Sequence, residues 1–278
     1  MLYNTFIHIP GIGAKTEKML WSAGIHTWED FIEPYPPQLS GQKINLIKQH
    51  LAQPYDEDSS GSAKQIAKAI GSSQSWRLFP HFREETAYLD IETTGLGGED
   101  CMITSIALYD GASVSFYVQG DNLDQFVDDV GRFAVLVTYN GKTFDVPVLE
   151  RYFGITLHQI HIDLRYILRS LGFSGGLKGC EKQLGLHRGE LDGLDGYFAV
   201  LLWQEYSRTG DRRALETLLA YNIEDAVNLE TLMVHAYNLN VAKTPFAQSH
   251  RLPLPVKPVN PFQADLQIVN VLKRARWW

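Results

Sequence analysis

The chain has 278 residues, of which 45% are hydrophobic and 12% are aromatic. This composition is typical of a folded globular protein and excludes a largely disordered chain. The 25 basic and 32 acidic residues give a formal net charge of −7. That charge disfavours non-specific binding to nucleic acid unless a local site overrides the mean.

Membrane insertion and export are not expected from this sequence. Apolar runs such as residues 133–137 and 197–203 are far shorter than the ~20 residues that span a bilayer. The N-terminus lacks the basic start, apolar core and cleavage site of a secretory signal. Cys101 and Cys180 are the only cysteines, and we expect reduced, buried thiols in a cytoplasmic protein.

Four regions follow from turn-forming residues and helical spacing. Residues 1–52 predict a small helical unit, with one helix from Ala14 to Ala23 and a second beginning near Thr27. Residues 53–75 are polar and predict a linker with a short helix inside it. Residues 76–240 predict the main domain, and residues 241–278 a C-terminal extension.

The main domain begins with three consecutive β-rich segments, TAYLDIE, MITSIALY and SVSFYVQ, with Asp110 and Gly111 at the position of a hairpin turn. A helix, a buried strand at 133–137, a helix ending at Gly154 and the segment IHIDL then predict β-α-β alternation. The expected fold class is α/β, with a mixed sheet flanked by helices.

The rest of the chain is predicted to be mostly helical. Apolar residues recur at helical spacing from about Asp211 to Tyr237, which predicts the best-formed helix of the protein. A proline-rich extended segment follows at 245–261. The last residues, 263–278, predict a basic amphipathic helix whose two terminal tryptophans could stack on bases or dock on the protein.

Two acidic residues alternate with apolar ones in the segment YLDIETTGL. Asp90 and Glu92 flank Ile91, so in a strand both carboxylates project from one face. They would lie about 7 Å apart and repel by roughly 2 kcal/mol at an effective dielectric constant of about 20. A positive group is therefore expected between them, although a solvated strand face would show the same alternation.

Two further acidic residues lie on neighbouring predicted elements. Asp145 follows the buried strand and opens a helix, a position that the helix dipole also favours by itself. Asp225 lies in the long helix four residues after Tyr221, so the two share a face. An exposed acid beside a core tyrosine would give the same pattern.

These four carboxylates together have a chemical rationale. Magnesium and manganese prefer hard oxygen ligands, and two such ions about 4 Å apart can activate water and stabilise the leaving oxygen of a phosphodiester. Two bound dications would change the formal charge from −7 to −3. An acidic protein could then bind a polyanion at this point.

Three segments carry a resemblance to a known family, namely DIETTGL from Asp90 to Leu96, YNGKTFDVPVLE from Tyr139 to Glu150, and YNIEDAVNL from Tyr221 to Leu229. Together they resemble the tyrosine (DEDDy) branch of the Asp-Glu-Asp-Asp exonucleases, within the ribonuclease H-like superfamily. Ala220 stands where the histidine branch would carry its histidine. Residues 175–203 further resemble a subgroup of predicted prokaryotic ribonuclease H-like exonucleases.

The resemblance implies a role for each acidic residue. Asp90, Glu92 and Asp225 would bind two Mg²⁺ or Mn²⁺ ions, with Asp145 as a ligand directly or through water. Tyr221 would position the attacking water. The implied reaction is 3′-to-5′ removal of nucleotides from single-stranded ends. Asp163 would act either behind the ligands or as a helix cap.

Nucleic-acid contacts are predicted in two places. The segment IPGIGAKTEKMLWSAGI resembles a helix-hairpin-helix in which Gly11 and Gly13 approach a DNA phosphate near Lys15 and Lys18. A degenerate hairpin that packs on the catalytic domain is the alternative. A second group of basic residues predicts either solvated helix faces or a patch that guides the strand: Arg165, Arg169, Lys178, Lys182 and Arg188.

The sequence therefore predicts a metal-dependent exonuclease acting on single-stranded DNA. An exoribonuclease with the same mechanism is the second enzymatic interpretation. A nucleic-acid-binding module without turnover is the third, although all four acids and the tyrosine are present.

Overall fold

The computed structural model describes residues 1–52, 60–95, 101–192 and 194–275. Its strands are β1 (Thr86–Thr93), β2 (Ile103–Tyr109), β3 (Val114–Val118), β4 (Val135–Thr138) and β5 (Ile160–Asp163). Its α-helices are α1 (Ala14–Ser22), α2 (Gly41–Leu51), α3 (Ser60–Ala69), α4 (Phe126–Val130), α5 (Asp145–Phe153), α6 (Leu164–Ser170), α7 (Gly176–Gln183), α8 (Gly196–Thr209), α9 (Arg212–Val241) and α10 (Leu266–Ala275).

The five strands form one mixed sheet in the order β3-β2-β1-β4-β5. β1, β2 and β3 pair antiparallel, and Gly111, with φ +92°, lies in the predicted hairpin turn between β2 and β3. β4 and β5 add parallel to the other side of β1. The α/β fold with a mixed sheet flanked by helices is confirmed.

Alternation along β1 separates the two layers of the core. Leu89 and Ile91 pack on one face of the sheet with Phe126 and Leu149 of the helices α4 and α5. Tyr88 lies on the opposite face, in the core that includes α9. Since neighbouring strand residues point to opposite faces, Asp90 and Glu92 project toward α9.

The helix α9 is buried around most of its circumference from Ala214 to Tyr237. One side faces the sheet, and α6 and α8 pack against others. The proline-rich segment after α9 runs back along it in the opposite direction. Asn238 binds the backbone of Leu252 at 2.8 and 2.9 Å, and Asn260 donates to the carbonyl of Ala220 at 2.8 Å. The long helix and the extended segment are both confirmed.

The N-terminal unit contains the predicted helix α1 but not the second helix near Thr27. The next helix, α2, begins only at Gly41. The carboxylate of Asp30 accepts hydrogen bonds from the backbone of His26 and Thr27, which competes with helical pairing. Proline at positions 34, 36 and 37 then removes backbone donors and fixes φ.

The N-terminal unit is tied to the chain before β1 through Glu17. This buried carboxylate accepts hydrogen bonds from the hydroxyl of Thr5 and the amide of Phe6, both at 2.8 Å, and pairs with Arg77 at 2.8 Å. Residues 53–59 of the predicted linker lie outside the described residues, while α3 accounts for the helix expected after them. The domain boundaries themselves stay a prediction.

Candidate active site

The first two carboxylates of the site stand on the central strand. Asp90 is half-buried, and Glu92 is 9% exposed. The side-chain amide of Asn222 on α9 donates to the carboxylate of Asp90 at 2.7 Å and to its backbone carbonyl at 3.1 Å. The hydroxyl of Ser105 donates in turn to the amide oxygen of Asn222 at 2.9 Å. Asp90 is therefore held in place by α9 and β2.

The third carboxylate comes from α9. Asp225 is buried, and one ligand oxygen each of Asp90, Glu92 and Asp225 lie within 4.8 Å of one another. Tyr221, one helical turn earlier, borders the same cavity. The interpretation of Asp225 as an exposed acid is wrong, since it lies 6% exposed beneath the sheet's acidic pair.

Asp145 is the first residue of α5 and lines the same cavity. The chain turns sharply between β4 and this residue. Asn140 has φ +68°, and a Cβ on Gly141 would collide with the side chain of Thr138. Burial raises the pKa of Asp145 to about 7, although backbone hydrogen bonding, including one from Ile91 of β1, works in the opposite direction.

The cavity shared by these residues has a volume of about 720 Å³ and is open to the surface. Its acidic wall is formed by Asp90, Glu92, Asp145 and Asp225. Aromatic and basic side chains and a glycine turn before α7 form another part of the lining, the basic wall: Tyr139, Phe144, Phe173, Arg165, Arg169, Lys178, Gly175 and Gly176. Acidic and basic groups thus line one cleft that is large enough for a nucleotide.

The donor set fits a hard divalent cation. Burial raises the pKa of Asp90 well above its ordinary range, and the nearby charges of Asp225 and Glu92 raise it further. Burial and Asp225 raise the pKa of Glu92 in the same way. A cation that coordinates oxygen, such as Mg²⁺ or Mn²⁺, would neutralise these clustered carboxylates.

Lys178 of α7 contacts Tyr221 directly. Its ammonium group donates hydrogen bonds to the phenolic oxygen of Tyr221 and to the carbonyl of Leu194, and lies 4.2 Å from the centre of the tyrosine ring. Burial raises the pKa of Tyr221 above its ordinary value, so the phenol keeps its proton. Because its oxygen accepts from Lys178, the phenolic O–H remains able to donate into the cavity.

The environment of Arg188 differs from what the sequence predicted. Neither a solvated helix face nor a strand-guiding patch describes it, because its side chain is only 3% exposed. Its guanidinium forms two hydrogen bonds of 2.6 Å to Glu181 and a further one to Asp225. The amide of Asn228 also donates to Glu181, at 2.9 Å. Arg188 is therefore a positive group beside Glu181 and Asp225, whereas the sequence predicted a positive group between Asp90 and Glu92.

Sequence reasoning missed Glu181 and Asn222. Both residues lie on helices, at positions that periodicity assigns to the core. Their spacing does not show whether a buried side chain makes hydrogen bonds or only packs against its neighbours. Asn222 follows Tyr221 directly within the third motif, which is the one signal that could have identified it.

Asp163 is the N-cap of α6, as predicted, and it also holds the loop that leads to Asp145. Its carboxylate accepts from the amide of Arg165 at 3.0 Å. It also accepts from the amides of Asn140 and Lys142 at 2.8 and 3.1 Å. The buried side chain of Asp163 thus stabilises both the first turn of α6 and the turn beside the cavity.

The other residues predicted to contact nucleic acid lie in different parts of the structure, and only some of them line the cavity. Arg165 and Arg169 are exposed on α6 and line the cavity. Lys182 is exposed on α7 outside it. In the N-terminal unit, Gly13 caps α1, and the side chain of Lys15 is exposed. Leu96, at the end of the first motif, and the terminal Arg276, Trp277 and Trp278 lie outside the described residues.

Both cysteines are buried free thiols, as predicted. Cys180 lies 3.7 Å from the hydroxyl of Tyr139. Among the described residues, no helix is long and apolar enough to cross a membrane.

Residues 87–237, more than half of the chain, match the model of a family described as RNase_H_2, RNase_H superfamily. The chain therefore belongs to the RNase H superfamily. This membership suggests a nuclease, which acts on nucleic acid and in this superfamily typically requires divalent metal ions.

One similar solved structure is the family B DNA polymerase from the hyperthermophilic archaeon Pyrobaculum calidifontis. It aligns with a TM-score of 0.45 and 18% sequence identity, over 60% of this chain and 27% of the polymerase chain. The chain thus spans about a quarter of the length of that polymerase. No curated protein matches.

Proposed function

We propose that this protein is a metal-dependent 3′-to-5′ exonuclease that hydrolyses phosphodiester bonds at single-stranded DNA ends. The observation that carries the proposal is the convergence of Asp90, Glu92 and Asp225 within 4.8 Å, with Tyr221 bordering the same cavity. The resemblance of the three motifs to the DEDDy exonucleases supports the direction of hydrolysis and the tyrosine branch.

Asp90, Glu92 and Asp225, together with Asp145, would hold two Mg²⁺ or Mn²⁺ ions. When bound, such a pair of ions activates a water molecule and stabilises the leaving oxygen of a phosphodiester. Tyr221 keeps its phenolic proton and donates a hydrogen bond to the attacking water, which fixes the position of that water. Lys178, which lines the same cavity, donates a hydrogen bond to the phenolic oxygen of Tyr221.

The basic wall of the cavity supports a polyanionic substrate. Arg165 and Arg169 are one helical turn apart on α6, so both reach the cavity from one face. Phe173 and Tyr139 offer rings on which a terminal base can stack. A strand end without a pairing partner fits this wall because its bases are accessible.

The experiment uses strands of one sequence labelled at the 5′ end, as DNA and as RNA, with Mg²⁺, Mn²⁺ or EDTA. We expect a ladder shortening from the 3′ end of DNA that requires metal and disappears in Asp90→Asn. Asp121→Asn, which changes an exposed acid outside the cavity, is the matched control. Metal-independent products, or full activity in Asp90→Asn, contradict the proposal.

Two other results identify the alternatives. Faster degradation of the RNA ladder favours an exoribonuclease with the same residues. Absence of cleavage with any metal, combined with retained DNA binding, favours a module that binds without turnover. The complete set of four acids and the tyrosine supports the catalytic interpretation over that last one.

The N-terminal hairpin is proposed as a second contact with DNA. Gly11 has φ +84°, which permits a tight turn before α1, and Lys15 and Lys18 are exposed beside it. A 3₁₀ helix at Leu2–Asn4 stands where the first helix of the motif would be. The double substitution Lys15→Gln and Lys18→Gln should weaken DNA binding and leave hydrolysis of a dinucleotide unchanged.

A further inference from the structure

A second cavity lies on the other side of the loop between β4 and α5. It has a volume of about 890 Å³ and is bounded by α3, the start of β5 and that loop. Three lysines line it, namely Lys64, Lys68 and Lys142, together with His158 and His161. None of the described residues that line this cavity is acidic.

The three lysines come from two different elements of the chain. Lys64 and Lys68 are four residues apart on α3, so their side chains share one face of that helix. Lys142 comes from the β4–α5 loop, and its ammonium group donates to the hydroxyl of Ser72 at 2.8 Å. Leu78, Leu157 and Ile160 are apolar residues of the same lining. Such a concentration of positive charge in a concave surface focuses the potential on an anion, despite the net charge of −7.

The loop that carries Lys142 also borders the catalytic cavity. Asn140 and Phe144 of this loop, and Asp145 at the start of α5, line that cavity, whereas Lys142 lines the second one. The carboxylate of Asp163 binds the amides of both Asn140 and Lys142, so the two sides of the loop are fixed relative to each other. Arg165 donates to the side chain of Asn140 and extends the positive surface from the catalytic side.

We propose that this second cavity binds the phosphodiester backbone of the strand whose end occupies the catalytic cavity. The inference rests on the nuclease function proposed above. A strand is favoured over a single small anion because the lysines come from two separate elements and apolar side chains line the same cavity, which suits sugars as well as phosphates. The loop of residues 140–144 lines both cavities, so the two are neighbours, as contact with one strand requires.

The test compares the double variant Lys64→Gln and Lys68→Gln with the control double variant Lys243→Gln and Arg251→Gln. Both variants remove two positive charges, and the two control residues are exposed and line neither cavity. Binding of labelled single-stranded DNA of 4 and 20 nucleotides is followed by fluorescence anisotropy in EDTA. Hydrolysis of both strands is then measured with Mg²⁺ and with Mn²⁺.

We expect the Lys64/Lys68 variant to bind the 20-nucleotide strand roughly tenfold more weakly and the 4-nucleotide strand unchanged. The slope of log K against log salt should become shallower by about 1.4, or about 0.7 for each phosphate that a lysine no longer neutralises. Hydrolysis of the 4-nucleotide strand should equal that of the wild type. The control variant should match the wild type throughout.

Equal binding of the long strand by wild type and variant overturns the proposal, as does an equal loss of affinity for both lengths. Inorganic phosphate serves as the small-anion probe. If it binds the wild type but not the variant while the long strand binds both alike, the cavity takes a small anion and the proposal is wrong. If the wild type hydrolyses neither strand, the nuclease function fails, and the anisotropy data still decide the role of the cavity.

Discussion

Arg188 and Asp225 form an ion pair behind the acidic wall of the cavity, with their side chains 3% and 8% exposed. Glu181, 2% exposed, occupies the other edge of the same guanidinium. Attraction to Asp225 and Glu181 raises the pKa of Arg188 despite its burial, so the cation is permanent. One positive charge thus compensates two buried carboxylates, one of which belongs to the proposed metal site.

Replacing Arg188 by glutamine should strongly destabilise the protein. The change leaves Glu181 and Asp225 buried without their cation, and breaking a buried pair of this kind costs about 3–5 kcal/mol. The free energy of unfolding should fall less in the double variant Glu181→Gln/Arg188→Gln than the sum of the two single variants predicts. The double variant also removes one of the two buried carboxylates that would otherwise lack a cation. Urea denaturation in EDTA measures the free energy of unfolding.

Arg208→Gln provides the comparison for that loss. Arg208 pairs with Glu205 at 2.8 Å, but its side chain is 72% exposed, so its removal should change the free energy of unfolding by less than about 0.5 kcal/mol. An Arg188 variant as stable as the Arg208 variant would show that the buried pair contributes nothing.

The pKa of about 7 at Asp145 predicts how stability depends on pH without metal. Because this pKa is raised above the ordinary value of 3.8, the folded protein binds more protons than the unfolded chain between about pH 4 and 7. Its contribution to stability is present below this window and is lost as the pH rises through it. In Asp145→Asn, the fall in unfolding temperature from pH 5 to 8 in EDTA should be smaller, by roughly 5 °C.

Metal should reverse this dependence. Ionised carboxylates bind cations, so Mg²⁺ should raise the unfolding temperature of the wild type more at pH 8 than at pH 5. The rise should be smaller in Asp145→Asn and unchanged in Asp121→Asn. The same pH dependence in all three proteins, with and without Mg²⁺, would refute the assignment of Asp145 to the site.

Much of this site could be predicted from the sequence because its acids stand on elements with clear periodicity. Alternation around Ile91 placed Asp90 and Glu92 on one strand face, and the four-residue spacing placed Tyr221 and Asp225 on one helix face. Both placements are as expected in the structure. The sheet could also be predicted, because the segments that form β1 and β2 have strong β propensity. These two strands follow each other in the chain and pair antiparallel.

The errors have a common physical origin. The burial of Arg188 depends on Glu181 seven residues earlier and on Asp225 of another helix, and charge alone does not reveal such a pairing. The helix expected near Thr27 failed because a local side-chain turn at Asp30 and the following prolines outweighed helical spacing. In both cases a specific polar contact decided the structure, whereas periodicity reports only apolar burial.

Asn222 is expected to act on the metal through Asp90. Replacing it by leucine keeps the approximate volume but removes the two hydrogen bonds that orient Asp90, at 2.7 and 3.1 Å. Loss of such a supporting contact typically lowers metal affinity or activity about 10- to 100-fold. Calorimetric titration with Mn²⁺ measures the affinity. Asn270→Leu, at an exposed position of α10, should bind Mn²⁺ like the wild type, and equal affinity in Asn222→Leu would contradict the supporting role.

Tyr221→Phe separates positioning of the water from binding of the strand. The substitution removes the hydroxyl that Lys178 holds, while the ring stays packed at 2% exposure. We expect kcat to fall by roughly 100-fold with KM little changed, because a donor that acts on the reacting water contributes mainly to the transition state. Lys178→Met should show a smaller fall in kcat, since the tyrosine is still present but has lost its hydrogen bond from Lys178.

Tyr152→Phe on α5, outside the cavity, is the control. Steady-state hydrolysis of a short DNA strand measures both constants, and a Tyr221→Phe enzyme with unchanged kcat, or with only KM altered, would remove Tyr221 from the proposed chemistry.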